Sequence, residues 1–360
     1  MVKIKFSASK DNAEFIVELR NKVKNYFEDN ELSKYGNLSI VLKSLFMLLL
    51  FSIPYILMLS GVINTVYLTI LCWVAMGIGM AGLGMVLMHD ASHGSFSQNN
   101  TLNKWLSKSL FLLGGFPPNW RYQHNTLHHG YTNIDGHDED IAPVGILRFS
   151  PHQPLNKVHK YQYWYAWFFY GLMTLSWVTV NDFSRLNSYK RMSAPLSSSK
   201  SYNRLFIELI FSKVFYYLIF LILPILLIQL PWYWILLGFL TMHFISGLTL
   251  TTIFQTAHVM PTSEYPLPSE DGRIDNNWAA HQLFTTSDYS PKSRIFSWLI
   301  GGLNYQIEHH LFPNISHVHY RKLSVLVKNT AQKHNLPYNV QPSFVAAVYS
   351  HIKMLKLLGR

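Results

Sequence analysis

The sequence predicts an all-α integral membrane protein built on four transmembrane helices. Two observations carry the fold. From Ser44 to Asn103 the only charged side chain is Asp90, and from Val214 to Ser263 there is no Asp, Glu, Lys or Arg. A helix needs about 20 mostly apolar residues to cross a bilayer, so each stretch is long enough to cross and return. A third observation sets the chemistry. Paired and spaced histidines stand at the ends of these apolar stretches, within a total of 17.

The first span is expected near 44–61 and the second near 65–88, joined by the uncharged "GVINT". The third is expected near 212–230 and the fourth near 232–254, joined at "LPWYW", whose aromatics suit a membrane interface. Only 14% of the 360 residues are charged, against about 25% in an ordinary soluble domain. The Lys and Arg residues avoid both hairpin links. They lie in the N-terminal arm, in the loop with Arg185, Lys190, Arg191, Lys200 and Arg204, and in the C-terminal third. The positive-inside bias then predicts that both termini and the central region are cytosolic. The chain reads as one domain over 1–360: an arm at 1–40, a hairpin at 44–88, a cytosolic or interfacial region at 89–210, a second hairpin at 212–254 and a cytosolic cap at 255–360.

Residues 161–180, "YQYWYAWFFYGLMTLSWVTV", are long enough to cross. Crossing would put the histidines before and after them on opposite faces, so they are expected to lie in the interface or re-enter. The arm carries an amphipathic helix over 11–30, with Phe15, Leu19, Val23 and Phe27 four apart and Asp11 or Asn12 as its cap. The N-terminus lacks the apolar core of a signal peptide. A lone cysteine, Cys72, excludes an internal disulfide and cysteine-ligated zinc or iron–sulfur. The net charge of +11 is assigned to the cytosolic bias and to anionic lipid headgroups, not to nucleic acid.

The candidate metal ligands are His89 and His93 in "HDASH", His124, His128 and His129 in "HNTLHH", His258 in "QTAH", and His309 and His310 in "QIEHH". Residues four apart share a helix face, so His89 with His93, and His124 with His128, are each placed to hold one metal. Adjacent histidines diverge by about 100°, so a helical pair tends to serve two metals. Eight imidazoles exceed the four ligands of one zinc and suit two metals with positions open to oxygen. Ligating imidazoles usually donate their other N–H to a carboxylate or carbonyl. Asp90 and Asp138, with Asp135, Glu139 and Asp140 nearby, are the candidates for that role. His243, mid-span, is read as a cavity lining, His281 is left open, and the remaining histidines are read as ordinary.

The motifs "HDASHGSF", "HNTLHHGYTNIDGHDEDI", "FQTAH" and "GGLNYQIEHHLFP" resemble the membrane fatty acid desaturases. The similarity is strongest to the bacterial linoleoyl-CoA-desaturase-like branch, and runs through "NYFEDNELSKYGN" and "WAAHQLFTTSDYS". The resemblance implies a cytosolic helical cap holding two non-haem irons on these eight histidines. It implies O2 and two electrons used to remove two hydrogens from a fatty acyl-CoA or acyl-lipid, in a bacterial inner membrane. No cytochrome-b5-like segment is fused, so electrons are expected from a separate ferredoxin, cytochrome b5 or reductase. Gln306 stands where many relatives have a ninth histidine, and marks the front-end type, which desaturates between an existing double bond and the carboxyl end. It is expected to serve as a weak or water-mediated ligand, or as a hydrogen-bond donor beside the metals. Arg121, Arg321 and Lys322 are candidates for CoA phosphates or lipid headgroups. The rivals are a related di-iron membrane hydroxylase and, more remotely, a histidine-rich metal transporter or zinc hydrolase.

Overall fold

Four helices in the computed structural model, which describes residues 4–7, 10–142 and 145–360, are long and apolar enough to cross a membrane. They are Leu38–Leu59, Val66–Ser92, Tyr202–Leu227 and Trp232–His258. Two begin earlier than hydropathy predicts, because buried cations hide in them. The first span starts where Asn37 accepts the Ser39 N–H at 2.9 Å, and it turns Lys43 inward. The third starts after Ser201 and carries Lys213 inward to Asp182 at 2.5 Å. Asn119 donates to the Asp182 carbonyl at 2.8 Å, so this buried pair also holds the 117–121 segment. Burying one charge alone would be strongly unfavourable, which fixes the partners together.

The second span is the centre of the bundle. In its most apolar window 61% of residues are inside the protein, against 28% for the first and third spans. Trp73, Met76, Met80 and Leu83 on it are fully buried. The first span buries Ile40, Met47, Phe51 and Met58 and turns Val41, Leu45, Leu49 and Ile56 outward. The two pack at backbone distance, since a Cβ on Gly79 would stand 2.7 Å from the Phe51 nitrogen. Small residues permit such approach where lipid offers no hydrophobic drive between helices.

Residues 161–180 do not form one straight span. The helix Gln162–Gly171 breaks at Leu172, and the chain continues through Met173–Ser176 toward Asp182–Arg191. The segment lies against the fourth span, where Thr174 donates to the His243 carbonyl at 2.9 Å. His243 is not a cavity lining. It is fully buried, with Tyr216 Oη 3.1 Å from Nε2 and Thr174 Oγ1 3.0 Å from Nδ1.

The arm helix runs Lys10–Asp29. Asp11 and Asn12 therefore lie in its first turn, not at its cap. Phe15, Leu19 and Val23 pack with Leu323, Val327 and Ala331 of the helix Tyr320–Lys333. Lys22, Lys333 and His334 gather on Glu18 and hold its carboxyl down at about 2. The strands among the described residues are two parallel two-residue pairs.

Gly79→Val is expected to destabilise the hairpin by roughly 1–3 kcal/mol, the usual cost of overpacking. Gly130→Ala, whose added Cβ meets nothing within 4 Å, should be near neutral. Thermal unfolding of both variants in detergent checks this.

Candidate metal centre

The second and fourth spans end side by side, and their ends carry His89, His93 and His258. Helical hydrogen bonding loosens to i→i+5 over Leu83–Met88, just before His89, and again over Tyr122–His128. Such π segments re-aim side chains and recur at functional sites. The third contribution arrives through a tight turn. Gly301 and Gly302 have φ of +62° and +67°, and a Cβ on Gly301 would stand 2.5 Å from the Met85 carbonyl oxygen. The turn thus rests on the first π segment. Asp288 then accepts the Ile307 N–H at 2.9 Å and starts the short helix Gln306–Leu311.

The eight predicted histidines meet in one place. Donor atoms of seven of them form two sets, each within 4.8 Å: His89, His93, His124 and His309, and His128, His258 and His310. Adjacent His309 and His310 fall in different sets. His124 and His128 keep one face, their rings stacked 5.3 Å apart, yet each joins a different main set. Their Nδ1 edges share Asp140, at 3.2 and 3.9 Å, which makes a third set on the outer side. Their Nε2 atoms turn elsewhere: His124 lies 3.3 Å from His129 Nε2, and His128 lies 3.2 Å from His310 Nε2. His129 sits between the two main sets, its ring 4.8 Å from His93 and 4.4 Å from His310.

Ring nitrogens left without a hydrogen-bond partner test whether this is a metal site. His93 Nε2, His309 Nε2 and both nitrogens of His258 are buried and unpartnered. A buried unpaired polar atom costs about 1–3 kcal/mol, so a structural role alone does not account for them. Neutral nitrogens converging without donors fit metal ligation, and an all-imidazole set suits iron, copper or zinc.

Other nitrogens are held from behind. Asp138 reaches His128 Nδ1 at 3.0 Å, Gln282 Oε1 reaches His310 Nδ1 at 2.8 Å, and the Tyr320 hydroxyl lies 3.2 Å from His309 Nδ1. Such contacts fix tautomer and ring direction. Sequence spacing gives no sign of Gln282 or Tyr320; neighbouring His281 instead bonds the Thr132 carbonyl at 2.8 Å. Asp90 departs from its expected part. It lies 3.9 Å from His89 Nδ1 and instead accepts from Ser316 Oγ at 2.9 Å, with His317 Nδ1 at 3.0 Å. Lys43 of the first span closes that chain, 3.0 Å from His317 Nε2. His317 is therefore no ordinary surface histidine. Asp135 and Glu139 bind away from the histidines, on Gln153 and Arg185.

Burial, then repulsion from neighbouring imidazoles, holds His93, His129, His309 and His310 well below the usual histidine range. Burial likewise pushes His124 down to about 4, against the pull of Asp140. His128 is opposed by burial too, but the Asp138 carboxylate prevails and raises it. Most of the cluster is thus neutral, the form that binds metal.

Beside the histidines lies a cavity of about 710 Å³, whose wall includes His89, His124, His309 and Gln306. The Gln306 amide donates to the Leu303 carbonyl at 2.8 Å, and its side chain approaches His258 without satisfying it. The rest of the wall is mostly apolar. Arg121, Arg321 and Lys322 are not part of it.

The fatty acid desaturase family matches residues 64–342. The chain belongs to this family. It is 33% identical to an sn-1 linoleoyl-lipid 6-desaturase of Synechocystis sp., over 95% of this chain and 94% of the relative. It is 32% identical to an acyl-lipid (8-3)-desaturase of Physcomitrium patens, over 98% and 73%. It is 29% identical to Delta(5) fatty acid desaturase A of Dictyostelium discoideum, over 96% and 75%. The desaturase is a membrane-associated oxidoreductase of lipid metabolism that desaturates fatty acids. The transporter, hydrolase and hydroxylase readings fall away.

Asp138→Asn is expected to weaken metal binding by about 10–100-fold while the protein still inserts, as metal titration of the purified desaturase would reveal. Acid should also destabilise the metal-free protein. An imidazole held near 4 folded and about 6.5 unfolded binds protons more readily when unfolded, so stability is lost as pH falls below about 6.5. Unfolding temperatures measured across pH 4–7, a window of about three units around those values, check the sign.

Proposed function

We propose that the protein is a front-end acyl desaturase with a di-iron centre held by His89, His93, His124, His128, His129, His258, His309 and His310. The observation that carries this reading is the pair of converging imidazole sets, one of which faces a mostly apolar cavity through His89, His124 and His309. An unactivated methylene has no acidic proton and no leaving group, so side-chain acid–base chemistry cannot reach it. Bound iron would activate O2 and so supply the oxidising power that such a bond demands. The acyl chain gives up two hydrogens and O2 is reduced to two waters, with two electrons from an external donor and two protons from solvent.

The chain's own residues do the rest. Met88, Leu113 and Phe254 in the cavity wall exclude water and hold the acyl chain with one C–C bond beside the histidines. Asp138, Asp140, Gln282 and Tyr320 keep the imidazoles aimed. Gln306 completes the centre as a weak or water-mediated ligand beside His258. The relatives' names, which specify 6-, (8-3)- and Delta(5)-desaturases, support insertion near the carboxyl end. The charge distribution supports a cytosolic cap with both termini cytosolic.

Expression in a host lacking polyunsaturated lipids, with oleate or linoleate supplied, tests the activity. New bonds are expected on the carboxyl side of the existing one; bonds only on the methyl side reject the front-end reading. Gln306→Ala should lose most product, and His128→Ala or His309→Ala all of it together with iron. Reporter fusions near Asn133 and Asn203 should both report the cytosol.

A further inference from the structure

We propose that Arg185 anchors the carbonyl end of the acyl substrate and so sets how far from that end the double bond is placed. The inference rests on the front-end reading and supplies its missing ruler.

The cavity wall has an apolar part and a polar part. Gly84, Leu113, Met173 and Leu250 line its inner part, toward the second and fourth spans. Asn181, Ser184, Arg185 and Glu139 line the other part. There the wall meets the outside, since Ser184 is exposed and Val180 is 66% exposed. A fatty acyl chain has the same polarity, with a carbonyl at one end and methylenes beyond it.

Arg185 is the one lysine or arginine in that wall among the described residues. Its Nη1 lies 2.5 Å from Glu139 Oε2, and Nη2 donates to the Glu139 carbonyl at 3.3 Å. A guanidinium has five N–H donors in a fixed fork, so donors remain for a carbonyl oxygen. Glu139 also neutralises its charge. A mouth with one paired cation suits an ester or thioester carbonyl and offers nothing to a cluster of phosphates.

Asp140, directly after Glu139, has its carboxylate 3.2 Å from Nδ1 of His124. One rigid turn, Glu139–Ile141, therefore holds the guanidinium with one residue and a histidine of the centre with its neighbour. Their Cα atoms are about 3.8 Å apart. A carbonyl on Arg185 would have only a short run of methylenes before the histidines, while the remaining chain fills the apolar part. That is the geometry of a bond placed near the carboxyl end.

Arg185→Met and Arg185→Lys distinguish an anchor from a brace for Glu139. A brace lowers yield without moving the bond. Purified protein with a reduced donor is supplied, in separate arms, with vesicles of linoleoyl phosphatidylcholine and with linoleoyl-CoA. Bond positions and KM are read in whichever arm turns over, which also identifies the carrier. The wild type should give one position. Arg185→Met should spread product over two or more positions, with KM raised about ten-fold, the weight of one charge-assisted hydrogen bond. Arg185→Lys should keep the wild-type position at reduced yield. If both variants place the bond only where the wild type does, or neither forms product, the anchor is overturned. Supplying the wild type with 18- and 20-carbon chains separates this from the underlying reading. Counting from the methyl end would reject the front-end assignment itself, and the anchor with it.

Discussion

An imidazole taken out of water needs a partner for each ring nitrogen, and this protein gathers eight of them in one dry space. Seven are buried and the eighth, His93, nearly so. Hydrogen bonding within the protein leaves several inward nitrogens unmatched. That constraint organises the molecule. The second and fourth spans must finish at the same level, the "HNTLHH" segment must pass between them, and the short helix with His309 and His310 must be lowered onto them. Each of these is enforced by a local feature: two π segments, a diglycine turn, and Asp288 starting a helix from a distance.

The outer edges of the imidazoles are tied to different parts of the chain. Asp138 and Asp140 come from the loop after the second cluster, Gln282 from the helix Trp278–Thr285, and Tyr320 from the helix that packs on the arm. Asp90 works differently. Through Ser316, His317 and Lys43 it fastens the first span and the C-terminal region to the end of the second span. The arm, the first hairpin and the C-terminal third are thus all coupled to the same cluster, which is why the chain reads as a single unit.

The cavity is the complement of this cluster. Its apolar lining grows out of the span interiors, and its polar end grows out of the loop that also supplies Asp140. A lipid substrate therefore meets hydrophobic walls and the histidines without leaving the region where the spans end. In the proposed reaction, access to the centre and exclusion of water are both consequences of that shared wall.

The four spans were legible in the sequence because a bilayer demands length and apolarity, which composition reports directly. The eight histidines were legible because ligation needs specific side chains at short spacings. Other features needed the tertiary structure. Lys43 and Lys213 are buried in the first and third spans because their partners, His317 and Asp182, come from distant segments. His124 and His128 share a face as their spacing predicts, but the main set each joins is decided by histidines brought in from other segments. His243 read as a cavity lining, whereas Tyr216 and Thr174 satisfy it in the core. Gln282 and Tyr320 carried no site signal, and Arg185 signalled only topology, because a residue that holds a ligand or faces a cavity is defined by what lies across the fold from it. Sequence determined which chemistry the chain can carry, through residue type and local period; tertiary contact alone decided which nitrogens face inward, what holds them there, and where the cavity changes from polar to apolar.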